Sequence, residues 1–396
     1  MKTAILFDAV RTNGGSYQMS INNLITLRDN LQKNNIKPII LTHNKNVDLN
    51  KLKFKYEVVN LSFSDYLIVI LHNIPLLKFF FIKIFLTSPF EKKLLKKNIN
   101  LVVFSIASWK LFLVKKIKFI TTIMDTCHLD FKGTKNFKET NLPIYLYREH
   151  VYKKNLPLAY RVITESNFLK KKIIKIYKLK YKSVVSIPNV PSLLLKSKKG
   201  LSIASIKKKF NISSPFYFYP AQFWEHKNHM IILEALRILN LKNIYIKFIF
   251  CGKDKGNLKS IVRKIDEYQV KKNVKIIDYV NDEELLLLYK LSKALIIPTY
   301  FGPTNIPPIE AWSLHRPVAY STLNRNHGKN AAIYFNPDSP NELVDVILKL
   351  EKNINIKKLI KNGKKRLEDI CKENFRGHDK LLKDIKQCYK KNNLML

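Results

Sequence analysis

The chain is short of cysteine, arginine, acidic residues and long uncharged runs, and each shortage narrows what it can be. Its four cysteines, Cys127, Cys251, Cys371 and Cys388, are scattered and form no CxxC-type pair. Neither a disulfide framework nor a zinc site is supported, and a reducing cytoplasm fits that usage. In the most apolar region, Phe63 to Phe90, the longest stretch free of Asp, Glu, Lys and Arg is Tyr66 to Leu77, 12 residues. A membrane-spanning helix needs about 20, so core helices are expected there. The N-terminus enters an apolar strand at Thr3 and lacks the charged and apolar regions of a signal peptide.

Acidic residues number 30 against 71 basic, a net charge of +41, yet only ten of the basic residues are Arg. Readers of nucleic acid lean on Arg for bidentate contacts. A Lys, Asn and Ile excess is also what an A/T-rich genome produces. The charge therefore reads as a solvated surface that attracts nucleotides and acidic lipid heads rather than nucleic acid. If the apolar region is instead interfacial, Lys78, Lys83 and Lys92 flank its Phe79 to Phe81 cluster.

At 396 residues, 46% hydrophobic and 26% charged, the chain can build two domains of about 190 residues each. Apolar runs at 4–10, 38–42, 101–106, 119–124 and 162–164 alternate with helical patterns. That spacing implies βα units and a parallel sheet. A Lys- and Ser-rich linker with one helix follows from Pro191 to Ser214. The alternation then restarts at 216–220, 245–251, 274–280, 294–299 and 317–321. Asn355 to Glu373 reads as a basic amphipathic helix, and Phe375 to Lys391 as a second helix returning to the first domain.

Leu295 to Trp312 organises the second half. A buried strand ends in a Gly, Pro, Thr and Asn turn, and a short helix opens near Pro307 and Pro308. Thr304 and Asn305 are cap candidates, and the helix start at Ile306 suits a phosphate. Glu310 follows one turn on, where the helix dipole is expected to keep its carboxylate ionised.

This segment resembles the nucleotide-sugar motif of group-1 (family 4) glycosyltransferases of GT-B fold. In that family two glutamates lie eight positions apart. Glu310 matches the second, and Gly302 stands where the first would be. The resemblance implies two Rossmann-like domains whose parallel sheets face each other across a cleft. They would be an acceptor-side domain at 1–190, a nucleotide-sugar-binding domain at 191–375, and a C-terminal helix at 376–396 crossing back. It further implies that Glu310 grips the donor ribose. Lys227, within Gln222 to Asn228, matches the family's phosphate-binding lysine, and Gln222 occupies the place of its arginine. Gly14 and Gly15 match the glycine-rich loop presented to the donor, and Gly252 a loop that passes the nucleobase. Met124 to Phe131 resembles the family's His-Asp motif, with Met124 in the histidine's place. Asp125 matches the aspartate, and His128 lies three residues on as a possible functional neighbour.

The activity implied is a retaining, metal-independent sugar transfer from a nucleoside diphosphate sugar, with no cofactor. The acceptor would be a saccharide or a lipid-linked sugar in bacterial surface polysaccharide assembly. The protein would sit in the cytoplasm, in peripheral contact with an anionic membrane, and without a nucleic-acid partner. Two other readings stay open at this point. One is a non-catalytic GT-B protein that binds sugars or partners. The other is a basic binder of nucleic acid or membrane surfaces.

Overall fold

The computed structural model describes residues 2–10, 14–43, 49, 54–73, 87–131, 137, 141–192 and 201–393. Arg11 to Asn13 and the Phe79 to Phe81 cluster lie outside them, as does much of the linker. The chain divides into two compact units. The first comprises Met1–Pro188 with Glu373–Leu396, and the second Asn189–Lys372.

The first unit holds β1 (Lys2–Leu6), β2 (Ile39–Thr42), β3 (Glu57–Val58), β4 (Ile99–Phe104), β5 (Lys118–Ile123), β6 (Arg161–Thr164) and β7 (Val184–Ser186). Their order in the sheet is β3-β2-β1-β4-β5-β6-β7, every pair parallel. Helices between successive strands cover both faces, which is why Val102, Ile120 and Val162 are wholly buried although they follow no in-out alternation. Local signals fix the helix starts. Ser88 caps Pro89–Lys96 by accepting from Glu91 N, with proline at the first position, and Ser166 caps Asn167–Tyr177 through Leu169 N.

The second unit holds β8 (Tyr217–Pro220), β9 (Phe248–Cys251), β10 (Val274–Ile277), β11 (Leu295–Ile297), β12 (Val318–Ser321) and β13 (Ile333–Phe335). The sheet runs β10-β9-β8-β11-β12-β13, again all parallel. Its core is aromatic. Tyr217, Phe218, Tyr219, Phe248 and Phe250 are all within 1% of full burial. Asn281 and Glu284 form a reciprocal capping box at the start of helix Asp282–Leu291. Both units are Rossmann-like. In each, the strand order reverses once, between β1 and β4 and between β8 and β11.

Two expectations change. The C-terminal segment is one uninterrupted helix, Ile356–Asn393, rather than two, because no proline or cap interrupts it between Glu373 and Phe375. Its residues from Glu373 onward belong to the first unit. There Asp384 accepts from Arg161 Nε (2.7 Å) and Asn374 donates to the Pro188 carbonyl (2.7 Å). The other change concerns helix Phe63–Asn73, which is core on one side only, with Phe63, Tyr66 and Ile70 exposed.

Candidate donor site at the second sheet

Open α/β sheets bind ligands outside the carboxyl ends of the strands where the order reverses. In the second unit those ends are the segments after β8 and β11, and the key residues Gln222, Lys227, Gly302, Thr304, Asn305, Ile306 and Glu310 all lie on them or just beyond.

From β8 the chain passes Gln222, whose side-chain oxygen accepts from Trp224 Nε1 (3.1 Å). It then enters a 3-10 turn, Glu225–Lys227. The Tyr219 hydroxyl fixes that turn by donating to the Lys227 carbonyl (2.7 Å). The buried His229 beside it is pulled down to a pKa of about 3, first by burial and then by the charges of Lys227 and His226. The two segments are joined by an aromatic stack, in which the His226 ring lies 3.9 Å from that of Phe301, 20° from parallel. Gly252, at the end of β9, is required by close approach. A Cβ there would stand 2.3 Å from the Ala221 carbonyl oxygen.

After β11, Gly302 adopts φ +110, a conformation L residues rarely reach, and its carbonyl accepts from Asn324 Nδ2 (2.7 Å) and Asn305 Nδ2 (3.2 Å). A side chain at 302 would meet the Asn305 amide at 2.9 Å. Thr304 Oγ1 accepts from Asn189 Nδ2 (3.1 Å). Asn305 sits at the N-cap of helix Ile306–Ser313 but does not cap it. Its amide donates instead to the Tyr320 hydroxyl (2.8 Å). Pro307 and Pro308 remove two of the four backbone donors a helix start offers, leaving the N–H groups of Asn305 and Ile306.

Glu310 corrects the sequence reading in two respects. It falls in the second turn, outside the reach of the first-turn dipole, and it is 4% exposed. Burial pushes its carboxyl up to about 7, against opposing hydrogen bonds from the Tyr289 hydroxyl (2.7 Å) and the Ser192 N–H. Desolvation outweighs the dipole here. No sequence signal marked Tyr289, which is wholly buried on helix Asp282–Leu291.

In the first unit, Gly14 (φ 60) precedes helix Gly15–Gln32 at the carboxyl end of β1, beside the strand reversal. Nearby, Asp8 is held by Lys110 (2.5 Å) and by the backbone N–H of His43 (2.7 Å). An acidic residue just past β1 at the reversal is a signal readable in the sequence, although it lies outside the family motifs. Asp125 does not act as a free carboxylate. Arg148 donates to it at 2.7 Å, and although desolvation raises its pKa, Arg148 and the Cys127 hydrogen bonds bring it down to about 2. His128 is 0% exposed, with Nε2 3.1 Å from Glu149 Oε1 and its ring between Tyr145 and Tyr152. Burial lowers its pKa. His128 is a core histidine, not a cleft residue.

Solved structures share the fold across nearly the whole chain. Sucrose-phosphate synthase from Thermosynechococcus elongatus gives a TM-score of 0.71 at 15% identity, covering 100% of both chains. A glycosyltransferase from Rickettsia africae gives 0.67 at 16%, covering 98% of each. Anabaena HepE in complex with UDP gives 0.67 at 13%, covering 96% of this chain and 99% of that one. The fold is GT-B. Residues 202–366, within the second unit, match the family described as glycosyl transferases group 1. The O-antigen chain mannosyltransferase RfbU of Salmonella typhimurium is 24% identical over 208 residues, 52% of this chain. The alignment spans 55% of RfbU, about half the length of that curated relative.

Proposed function

We propose that the protein is a glycosyltransferase that moves a hexosyl unit from a nucleoside diphosphate sugar to a saccharide or lipid-linked acceptor. The setting is the assembly of a bacterial surface polysaccharide. One observation carries the reading. Lys227, a helix start left uncapped by its own Asn305, and the Glu310 carboxylate converge on one strand reversal within the group 1 segment.

In this reading Lys227 and the N–H groups of Asn305 and Ile306 offer preorganised positive charge to the departing pyrophosphate, while Glu310 accepts from the donor ribose. No metal and no cofactor are assigned a role. The anomeric configuration is retained by same-face attack, with the leaving phosphate taking the acceptor proton, so no glycosidase-like carboxylate pair is needed. The naming of RfbU as an O-antigen mannosyltransferase and the UDP bound in HepE support that class of donor and product. The reaction belongs on the cytoplasmic side of the membrane, where such donors occur.

The second reading, a non-catalytic GT-B binding protein, is favoured by the Asn305 amide beside Gly302, which crowds the position of the family's first glutamate. One experiment separates the two. A panel of nucleotide sugars is screened for thermal stabilisation, and transfer is then measured for wild type and Lys227→Ala. Losing one such charge contact costs about 2.7–4 kcal/mol in the barrier, roughly a hundredfold to a thousandfold in rate. Donor binding without turnover selects the second reading. An alanine variant within about threefold of wild type removes Lys227 from the pyrophosphate site.

A further inference from the structure

Helix Phe63–Asn73 contains neither Lys nor Arg and is apolar nearly all round. A helix of that composition is ordinarily buried on every side. Here Ile68 and Val69 are buried, while Phe63, Tyr66, Leu67 and Ile70 are 80, 48, 38 and 55% exposed. Those four are spaced i, i+3, i+4 and i+7, so they form one outward stripe. A second helix of the first unit, Leu142–Asn155, exposes Leu142 (63%), Leu146 (56%) and Tyr147 (45%). Trp109 joins the two. Its ring centroid lies 5.3 Å from that of Tyr66, and its backbone N–H donates to the Tyr147 hydroxyl at 3.1 Å.

The charges around this surface are of one sign. Lys92, Lys93 and Lys96 are exposed on helix Pro89–Lys96, which contacts helix Phe63–Asn73, and Lys154 on the second helix, beside Lys153, which pairs with Glu149. The carboxylates on these helices are turned inward. Asp65 accepts from the Phe90 N–H, Glu91 from three backbone N–H groups, and Glu149 from the Tyr177 hydroxyl. Exposed Glu57, on β3, is paired with Lys97. Helix Leu142–Asn155 connects β5 to β6, so its exposed first turns lie at the carboxyl edge of the sheet, the edge where ligands bind.

We propose that this face of the first unit docks on an anionic lipid bilayer. The aromatic and aliphatic stripe enters the boundary between head groups and acyl chains, and the surrounding lysines meet lipid phosphates. A second copy of the chain fits the face poorly, because pairing brings together two molecules of charge +41. The docking does not depend on the donor assignment, and its test uses no nucleotide.

Flotation with phosphatidylcholine vesicles, with and without phosphatidylglycerol, is compared at low and high salt. Wild type floats with the anionic vesicles, and salt weakens the association. Phe63→Ser/Ile70→Ser replaces two exposed side chains and lowers the partition coefficient by about tenfold or more. Leu241→Ser, a 77% exposed residue of the second unit, leaves it unchanged. Leu146→Ser serves as an independent variant of the stripe should the double variant unfold. Failure of wild type to bind anionic vesicles overturns the proposal, as does salt-insensitive binding to both vesicle types. A stripe variant that floats like wild type does so too. If wild type sediments as a dimer and the double variant as a monomer, the face joins two copies instead.

Discussion

The first unit and the helix that follows β11 treat their carboxylates differently. In the first unit Asp125 meets Arg148, Glu149 meets Lys153, and Asp8 meets Lys110. Asp65 and Glu91, both wholly buried, are held by three hydrogen bonds apiece, from Ser62 and the Phe90 N–H and from the N–H groups of Lys115, Lys116 and Ile117. With a cation or three donors each, these groups hold elements together and are poor candidates to exchange protons or take up a ligand. On that helix Glu310 is buried too, yet its partners are a tyrosine hydroxyl and a backbone N–H. Among the described residues no Lys or Arg forms an ion pair with it. A buried carboxylate left in that condition costs stability, and such groups concentrate at functional sites. How fully a carboxylate is compensated, more than the depth of its burial, separates the structural acids from the functional one.

The largest effect that would test this contrast comes from removing a cation. Arg148→Leu leaves Asp125 without its partner, and breaking such a pair costs roughly 3–5 kcal/mol. The low end applies because Asp125 keeps 27% of its side chain exposed. Denaturant unfolding should show the loss while donor affinity stays unchanged. Weakened donor binding in a folded variant would mean the pair is more than structural.

Glu310→Gln should act in the opposite sense. The carboxyl's pKa rises from 4.5 to about 7 on folding, so its contribution to stability is complete below 4.5 and is lost as pH rises through 7. The neutral variant should therefore be more stable than wild type at pH 8, by roughly 3 kcal/mol, with the gap closing by pH 5. Unfolding midpoints at the two values decide it. A variant less stable at pH 8 would mean that a cation compensates the carboxylate after all. The smallest effect is Tyr289→Phe, which removes one hydrogen bond worth about 0.5–1.5 kcal/mol and pushes the Glu310 pKa higher still. Calorimetry with a nucleoside diphosphate at neutral pH should register weaker binding. Unchanged affinity would detach Tyr289 from the site.

Much of the second unit was legible from residues alone. The restart of βα alternation and the Pro-Pro helix opening locate β11 and Glu310 to within a residue or two. What escaped has physical causes. β3 has two residues and β13 three, too few for a pattern to register. The charge state of Glu310 depends on Tyr289, 21 residues away, and on burial that the helix dipole argument ignores. His128 read as a loop residue because Glu149 and Tyr145, which enclose it, come from the next helix. The apolar sequence at Phe63 implies core on every side because it reports what avoids water in isolation, without reporting which side of a helix finds a partner.

The discontinuity of the first unit has a consequence for how the chain is made. Its closing helical segment begins at Glu373, after the whole of residues 189–372. During synthesis β1 to β7 emerge early, but the contacts from Asp384 to Arg161 and from Tyr389 to Thr3 wait for the last stretch of the message. At roughly 5–20 residues per second that wait lasts on the order of ten seconds or more. Over that interval the Arg161 and Thr3 side chains on the first sheet lack the partners that will cover them. The second unit, started later, has all of its strands and can close first. A chain truncated after Lys372 and released from the ribosome should therefore hold a protease-resistant second unit and a first unit that is still open to cleavage.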